Sequence, residues 1–577
     1  MMHNNATLVF FALLFFSSFA SAEDGYTITN PVLGQYTPSQ DVGDPKLVGS
    51  LDAEITQNWR IEIGSQQFSD LTFITYAFAN APYQQAGDAS CTCSPSACTQ
   101  GTDMDNYGNK RLRFSFTPSG DEYLTCVTRV RTNYLSVSSA DVSDPSKFSA
   151  YSSNTDPSPE IKSNSISMVG SDPDKTDAAV RLTGWVNNLV TYDIAYLGRT
   201  TPASQVYVER RGVCNEYSHL LMASLKAINV PVRFAAGLVY SGKEWGPHAW
   251  SEAFMDGKWR PLDGTYDEAL ILDATHIKLA HGIDQTDIRE ELQGRGINID
   301  LSTVKIHKLV TNMRIIDRQS FPKMYSYTLT GPKKTLGEGS IAEVNVTATC
   351  EIEECPLPFL ANVPAEIRIT TPPSVIVYLK KGQVSTSQWK MLMPENLERG
   401  FVYIYPFELL GLGIKDQVNI TARKGGEVQT LAEVSIDEVA PTILDNKLRV
   451  RVVLRNAGNR DVNDVLVVAT LENFSQSAMI NVPFGGTGAA EFLFNKPAAP
   501  QTPMRIYVQT AFGTLEREYL IDTTRTQVPQ TPMIPEIPGI TNISAANLDF
   551  KTLGLLAFAL VVVIAGIAFL LHLRSSE

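Results

Sequence analysis

The chain has 577 residues, and at about 150 residues per domain this length predicts roughly four domains. Hydrophobic residues make up 44% of the sequence and charged residues 19%, a composition typical of folded protein and unlike that of a disordered or polytopic membrane chain. The 61 acidic residues outnumber the 48 basic ones, so the formal net charge is −13. Because nucleic-acid binding depends on basic surfaces, this balance argues against nucleic acid as a partner.

The N-terminal segment has the pattern of a secretory signal peptide. An apolar run from Leu8 to Phe16 is followed by Ala20-Ser21-Ala22, the small-x-small pattern that precedes a cleavage site. We therefore predict that residues 1–22 are removed. The segment before the apolar run contains no Lys or Arg, so an uncleaved membrane anchor is the alternative.

The sequence then alternates between β-rich and mixed regions. Short runs of alternating apolar residues predict β-sandwiches at both ends, and helical spacing between Lys175 and Val190 predicts a mixed α+β region between them. The predicted modules are an N-terminal β-sandwich (23–164), an α+β core (165–318), an Ig-like β-sandwich (319–440) and a second Ig-like β-sandwich (441–522).

A proline-rich segment separates these modules from the last hydrophobic stretch. Proline recurs at every third position from Pro529 to Pro538, which matches the three-residue turn of polyproline II. We interpret residues 523–550 as a stiff, extended stalk.

The hydrophobic stretch itself predicts a transmembrane helix over residues 551–573. The 19 residues from Leu553 to Leu571 carry no charge and would form a helix of about 28 Å, close to the thickness of a bilayer core of about 30 Å. A buried core helix is the alternative, but such a helix has a polar stripe. Together with a signal peptide, the span predicts a single-pass cell-membrane protein with an extracellular ectodomain and a cytoplasmic tail at 574–577.

The cysteines divide into a structural set and one odd residue. The seven are Cys91, Cys93, Cys98, Cys126, Cys214, Cys350 and Cys355. The first four lie in one β-rich region and the last two are close together in another, which predicts three disulfides in an exported protein. A Cys91–Cys93 bridge would close a very tight ring, so one of these two is expected to pair with Cys126 and the other with Cys98. A zinc site is the alternative for the first four.

The remaining cysteine, Cys214, is the candidate nucleophile. It follows Gly212 and begins an apolar pattern with helical spacing that runs to Ile228. The partial positive charge at a helix N-terminus favours the thiolate, which is the nucleophilic form of cysteine. A backbone N–H at the same position can receive the oxyanion that forms when the sulfur attacks a carbonyl.

A hairpin supplies the candidate base and its orienting group. Asp256-Gly257 between two strand-like runs predicts a two-residue turn. This register places His248 and Asp263 on one face as diagonal neighbours, about 7–8 Å apart at the backbone. Each residue alone has an ordinary structural explanation, but together with Cys214 they form a nucleophile, a base and an orienting carboxylate.

Other polar residues near this set have weaker claims. Glu252 shares the hairpin face with His248 and is the rival orienting carboxylate. Gln205 is either an oxyanion donor or an exposed helix residue, and the second interpretation is preferred. His219 is expected to be structural, and the five-residue spacing of His276 and His281 is a poor one for metal ligands.

Four motifs surround the three candidate residues: Arg211-Gly212-Val213-Cys214 with Glu216-Tyr217, Val230-Pro231-Val232-Arg233 with Gly237, His248-Ala249-Trp250-Ser251-Glu252, and Gly257-x-Trp259-x-Pro261-x-Asp263-Gly264-Thr265. Through these motifs, residues 165–315 resemble the transglutaminase-like superfamily of papain-fold thiol enzymes. The resemblance implies an α+β core in which the cysteine helix packs on a sheet. It also implies that Cys214 is the nucleophile, His248 the general base and acid, and Asp263 the orienting residue.

The implied reaction is attack on an amide through a thioester intermediate. Animal transglutaminases carry Trp directly after the nucleophile, where this chain has Asn215, so we expect hydrolysis rather than amine transfer. No Asp-rich calcium loop is visible, and no cofactor or metal is expected. The expected substrates are amides of protein or of the cell envelope. The alternative function is a catalytically inactive adhesion or envelope-structural protein that uses the fold as a binding module.

Overall fold

The computed structural model describes most of the chain between Tyr26 and Asp522. The described ranges are 26–29, 42–64, 66–135, 144–169, 174–296, 299–308, 311–429, 432–444 and 446–522. The predicted signal peptide, stalk, transmembrane helix and cytoplasmic tail lie outside the described residues. Within the ranges above, no helix combines the length and the apolar character needed to cross a membrane.

The N-terminal module consists of β-strands. They are β1 (Tyr26–Thr29), β2 (Val48–Glu62), β3 (Phe68–Tyr76), β4 (Gln84–Ala86), β5 (Ser90–Ser94), β6 (Thr99–Met104), β7 (Lys110–Phe116) and β8 (Glu122–Thr132). Side chains along β2 alternate between buried and half-buried, as expected of a strand with one face on a core. That core contains the fully buried side chains of Trp59, Phe73 and Phe114.

The α+β core follows. Its elements are α1 (Pro159–Val169), α2 (Lys175–Leu189), β9 (Thr191–Tyr192), α3 (Ala203–Glu209), β10 (Arg211–Gly212), α4 (Cys214–Ala227), β11 (Val232–Tyr240), β12 (Trp245–Met255), β13 (Lys258–Asp263), β14 (Glu268–Ala269) and β15 (Ile277–Gly282). The central sheet has the order β14-β13-β12-β11-β15. Helix α4 packs on β11 and β12 and is surrounded by the other three helices, so nearly all of its side chains are buried.

The chain then returns to the N-terminal module. Strand β16 (Glu290–Gly296) pairs with β1 and β3, whereas β17 (Lys305–Lys308) and β18 (Asn312–Ser320) both pair with β2. The N-terminal sandwich therefore contains strands that precede the α+β core in the sequence and strands that follow it. The strands between 290 and 318 belong to this sandwich rather than to the α+β core predicted over 165–318. Period-2 alternation identifies a strand but does not specify the sheet that it joins.

Two further β-sandwiches complete the described chain. The first contains β19 (Tyr325–Thr330), β20 (Leu336–Gly337), β21 (Ile341–Cys350), β22 (Glu354–Asn362), β23 (Arg368–Ile369), β24 (Ser374–Lys380), β25 (Val384–Leu392), β26 (Tyr403–Gly411) and β27 (Ile414–Arg423). The second contains β28 (Val434–Leu444), β29 (Lys447–Asn456), β30 (Val462–Leu471), β31 (Phe474–Val482), β32 (Thr487–Asn495), β33 (Gln501–Thr510) and β34 (Gly513–Asp522). Strand β28 crosses the predicted boundary at 440/441 and pairs with β29, so it belongs to the second sandwich.

The prediction of three disulfides and one free cysteine is confirmed. Cys91 is bonded to Cys126 and Cys93 to Cys98, which selects one of the two pairings left open by the sequence; Cys350 is bonded to Cys355. Cys91 and Cys126 face each other on the paired strands β5 and β8, so the register of the sheet determines this bridge. Cys214 is free and half-buried.

Candidate active site

The candidate nucleophile lies at the first position of a buried helix. Helix α4 begins at Cys214, and the Glu216 carboxylate accepts a hydrogen bond of 3.0 Å from the Val213 N–H just before it. A Cβ at Gly212 would lie 2.2 Å from Glu216 Cβ, so only glycine fits beside this carboxylate. The Gly-x-Cys-x-Glu pattern therefore builds a capped helix start that leaves Cys214 half-buried at its tip.

The hairpin of β12 and β13 has the register predicted from the sequence. Met255 pairs with Lys258 and Ser251 with Leu262, on either side of a turn at Asp256-Gly257. Both turn residues have positive φ, 51° and 75°, as a two-residue hairpin turn of this kind requires.

The two hairpin residues meet at their side chains. His248 Nε2 lies 2.6 Å from Asp263 Oδ2, and both side chains are buried. Because Nε2 faces Asp263, Nδ1 is the ring nitrogen left for Cys214, which is near enough to contribute to the raised pKa of His248. The structure thus brings all three predicted residues together.

Asp263 is held from two directions. Its Oδ1 accepts hydrogen bonds from the backbone N–H groups of Thr265 at 2.7 Å and Tyr266 at 3.3 Å. Its Oδ2 faces His248 and also a second imidazole, His276 Nε2, at 2.9 Å. The carboxylate is therefore fixed in place by the turn that follows β13.

His276 is the site residue that the sequence analysis missed. It precedes β15, is fully buried, and its Nδ1 lies 3.2 Å from the Asp273 carbonyl oxygen and 3.5 Å from Asp273 Oδ2. It belongs to an irregular segment between β14 and β15, where no periodic pattern predicts which way a side chain points. The sequence therefore contains no signal that joins it to Asp263.

His248 and Asp263 each stabilise the charged form of the other. Burial acts to lower the pKa of His248, but the charge of Asp263 and hydrogen bonds to Asp263 and Cys214 outweigh it and raise the pKa to about 9. Burial acts to raise the pKa of Asp263, yet His248 and His276 hold it well below its usual range. At neutral pH the site therefore contains a His248 imidazolium beside an ionised Asp263.

Tyr192 is an exposed aromatic residue near the candidate nucleophile. This residue of β9 pairs with Gly212 of β10, two positions before Cys214, and its side chain is 53% exposed. Burial of part of the ring, and then the charge of Cys214, raise the pKa of Tyr192 to about 12. The buried Trp250 ring stacks on His248, and the two ring centroids are 6.0 Å apart. Of these two aromatic residues, Tyr192 is thus the exposed one and Trp250 the buried one.

The rival orienting carboxylate has other partners. Glu252 lies 2.6 Å from Arg233 Nε and 2.5 Å from Lys278 Nζ, in a buried ion cluster that also contains the Tyr83 hydroxyl. These cations and the charge of His281 outweigh burial and lower the pKa of Glu252 to about 2. Glu252 therefore balances two buried cations and leaves the orientation of His248 to Asp263.

The remaining weaker candidates lie away from the nucleophile. Gln205 is exposed and donates a hydrogen bond to Glu209, in agreement with the preferred interpretation. His219 is buried in α4, with Nδ1 3.0 Å from the Thr201 carbonyl oxygen. His281 Nε2 lies 3.0 Å from the Tyr107 carbonyl oxygen, whereas His276 faces Asp263.

Among the residues that the structure describes, two groups of side chains each offer three ligand atoms that could hold a metal ion. Nitrogen and oxygen atoms of His248, Asp263 and His276 lie within 4.8 Å of one another, as do atoms of Glu268, Asp273 and His276. In the first group the contacts of 2.6 and 2.9 Å are those of hydrogen bonds. Two ligands bound to one zinc ion at about 2.0–2.1 Å in tetrahedral geometry would lie further apart. The arrangement therefore fits proton sharing better than metal binding.

A comparison with protein families agrees with this geometry. The model of the transglutaminase-like superfamily core matches residues 163–264, which contain α4 and the β12–β13 hairpin. The chain has a transglutaminase-like core. This core carries Cys214, His248 and Asp263, whereas His276 lies beyond the matched residues.

Individual relatives of the transglutaminase-like core are distant. An uncharacterised protein of Mycobacterium leprae (strain TN) is 27% identical over 119 residues, which cover 19% of this chain and 42% of that protein. The chain thus spans less than half the length of this relative.

Solved structures with a similar core are more distant still. A candidate cysteine protease from Cytophaga hutchinsonii shows 19% identity and a TM-score of 0.35, over 47% of this chain and 93% of that one. Red sea bream transglutaminase shows 10% identity and a TM-score of 0.15, over 86% of this chain and 95% of that one. The described chain is a multidomain protein in which β-sandwiches surround a transglutaminase-like core.

Proposed function

We propose that this protein is a thiol enzyme that cleaves amide bonds through a thioester on Cys214. The observation that carries the proposal is the continuous contact from Cys214 through His248 to Asp263, at the tip of a capped helix. A free, half-buried thiol next to an imidazolium is the arrangement that activates cysteine nucleophiles.

The reaction divides into two acyl-transfer steps. The Cys214 thiolate attacks the amide carbonyl carbon, and the oxyanion that forms faces the unpaired N–H groups at the start of α4. His248 then donates its proton to the leaving nitrogen as the C–N bond breaks, which releases an amine and leaves a thioester. In the second step neutral His248 takes a proton from water, the resulting hydroxide adds to the thioester, and Cys214 leaves as the carboxylic acid forms.

Hydrolysis is proposed over amine transfer. Asn215, the half-buried residue after the nucleophile, replaces the Trp expected of animal transglutaminases with a small polar group. The proposed substrates are amides of extracellular protein or of the cell envelope. The proposed location, an ectodomain anchored by one C-terminal helix, is supported by three disulfides, because such bonds persist in oxidising compartments.

The direct test measures the pH dependence of Cys214 alkylation. The full chain is incubated with iodoacetamide at several pH values without reductant, and intact mass counts the adducts. We expect one adduct on Cys214 well below its ordinary pKa of about 8.5. His248→Ala should move this reactivity to higher pH, whereas His219→Ala, which removes a buried histidine away from Cys214, should not. A thiol that stays unlabelled until the protein unfolds would refute the proposal.

A second assay separates the proposed reaction types. Incubation with an activated ester such as p-nitrophenyl acetate should give an acetylated intermediate whose decay is followed by mass. Decay that an added primary amine does not accelerate supports hydrolysis; faster decay with formation of the amide supports amine transfer. Alkylation of Cys214 without any acyl-enzyme would favour the alternative, a catalytically inactive adhesion or envelope-structural protein that uses the fold as a binding module.

A further inference from the structure

His276 occupies a position that links the triad to the interior of the protein. The two imidazoles share a single carboxylate oxygen: Asp263 Oδ2 lies 2.6 Å from His248 Nε2 and 2.9 Å from His276 Nε2. The ring centroids of the two histidines are 5.5 Å apart. A change in the position or charge of His276 therefore acts directly on Asp263 Oδ2, the atom that orients His248.

The His276 ring is fixed by groups outside the triad. Its Nδ1 lies 3.2 Å from the Asp273 carbonyl oxygen, and Asp273 is held in turn by the Thr275 N–H at 2.8 Å. The Tyr134 hydroxyl donates to the His276 carbonyl oxygen at 3.1 Å, and the edge of Trp250 meets the His276 ring at an angle of 89°. Together these contacts hold the fully buried ring against Asp263.

The charges around His276 form a balanced, buried set. The titratable or charged groups that face it are Asp263, Asp273, Glu268, His248, Tyr266, Tyr134 and, through Glu268, Lys46. Three of these are carboxylates, and their possible counter-charges are Lys46, His248 and His276. Burial acts to lower the pKa of His276, but Asp273 and Asp263 outweigh it and raise the pKa well above its usual value. The two carboxylates therefore favour the imidazolium form of His276.

We propose that His276 is a positioning residue that fixes Asp263 and limits the basicity of His248. The inference rests on the proposed thiol chemistry. Without the positive charge of His276, the negative charges of Asp263 and Asp273 would act more strongly on His248 and hold its proton more tightly. A base that stays protonated does not activate the water that resolves the thioester, so His276 keeps His248 within the range that both steps need.

The test reads the protonation of His248 directly and does not depend on Cys214 reactivity. The full chain is prepared with ¹³C- and ¹⁵N-labelled histidine, and His248 and His276 are assigned with variants that each lack one ring. His276→Gln keeps a donor towards Asp263 but removes the charge. The control, His281→Gln, removes another buried histidine, which contacts the Tyr107 carbonyl oxygen rather than Asp263.

We expect the pKa of His248 to rise by about 2 in His276→Gln, the effect of removing one charge about 5.5 Å away at an effective dielectric constant near 20. It should stay unchanged in His281→Gln. An unchanged His248 pKa in a folded His276→Gln variant would overturn the proposal. If that variant does not fold, the ¹⁵N shifts of His276 in the natural chain decide: an imidazolium at pH 7 supports the proposal and a neutral ring refutes it. Failure of iodoacetamide to label Cys214 would refute the proposed function and leave this result standing.

Discussion

Replacing Asp263 with Asn should change how the stability of the protein depends on pH. The pKa of His248 is raised from 6.5 to about 9, chiefly by Asp263 acting against burial. One pKa unit corresponds to about 1.4 kcal/mol, so the folded state gains about 3 kcal/mol from holding this proton. Because the folded pKa is the higher one, the gain is complete below pH 6.5 and is lost as the pH rises towards 9.

Asp263→Asn removes the charge that maintains this difference. Burial then dominates and the pKa of His248 falls below its usual value, so the loss of stability between pH 6.5 and 9 should disappear. The same variant leaves His276 facing an uncharged amide, and a buried charge that loses its partner typically costs about 3–5 kcal/mol. At neutral pH the variant should therefore be less stable as well as less dependent on pH.

The assay is denaturant unfolding of the full chain at pH values from 6 to 9.5, compared with the natural sequence. Asp284→Asn is the matched control, because Asp284 is also buried but is bonded to Thr286 rather than to His248. The difference in unfolding free energy between Asp263→Asn and the natural chain should narrow by about 3 kcal/mol across this range. A constant difference would refute the assignment of the raised His248 pKa to Asp263.

Three further predictions concern single contacts. Gly237→Ala should destabilise the core by more than about 3 kcal/mol in denaturant unfolding, because its Cβ would lie 2.0 Å from the Ile277 carbonyl oxygen. Gln205→Ala should leave thioester formation from an activated ester unchanged, since this exposed side chain is bonded to a neighbouring turn of its own helix; a loss of 10-fold or more would make it an oxyanion donor. Replacing both Cys91 and Cys126 with Ala removes a bridge that spans 35 residues and should lower the free energy of unfolding by about 3–4 kcal/mol. Denaturant unfolding of this variant and of the natural chain measures the difference.

Local patterns explain what was predictable about this protein. A glycine turn followed by a helical apolar run located Cys214 at a helix start, and an Asp-Gly turn specified the register of the β12–β13 hairpin. Both features depend on residues that are close in sequence, and side-chain direction in a regular strand follows from its period of two. The parity of the cysteines likewise identified one free thiol before any contact was known.

Long-range strand pairing explains which features of this protein could not be predicted from the sequence. The strands after residue 290 join the N-terminal sandwich, and β28 joins the last one, although their sequence patterns are ordinary strand patterns. The choice between Cys91 and Cys93 as the partner of Cys126 depended on the register of β5 against β8. Such pairings depend on the packing of distant segments rather than on local preference.

The candidate active site shows the same division between features set by local sequence and features set by long-range packing. The sequence by itself placed Cys214 at a helix start and His248 and Asp263 together on one hairpin face, because helix capping and hairpin register are local. Only the tertiary structure decided that Glu252 forms ion pairs with Arg233 and Lys278. It also decided that His276 shares the Asp263 carboxylate with His248. These partners come from other strands and from an irregular segment, and their contacts exist only once the sheet has closed around the buried charges.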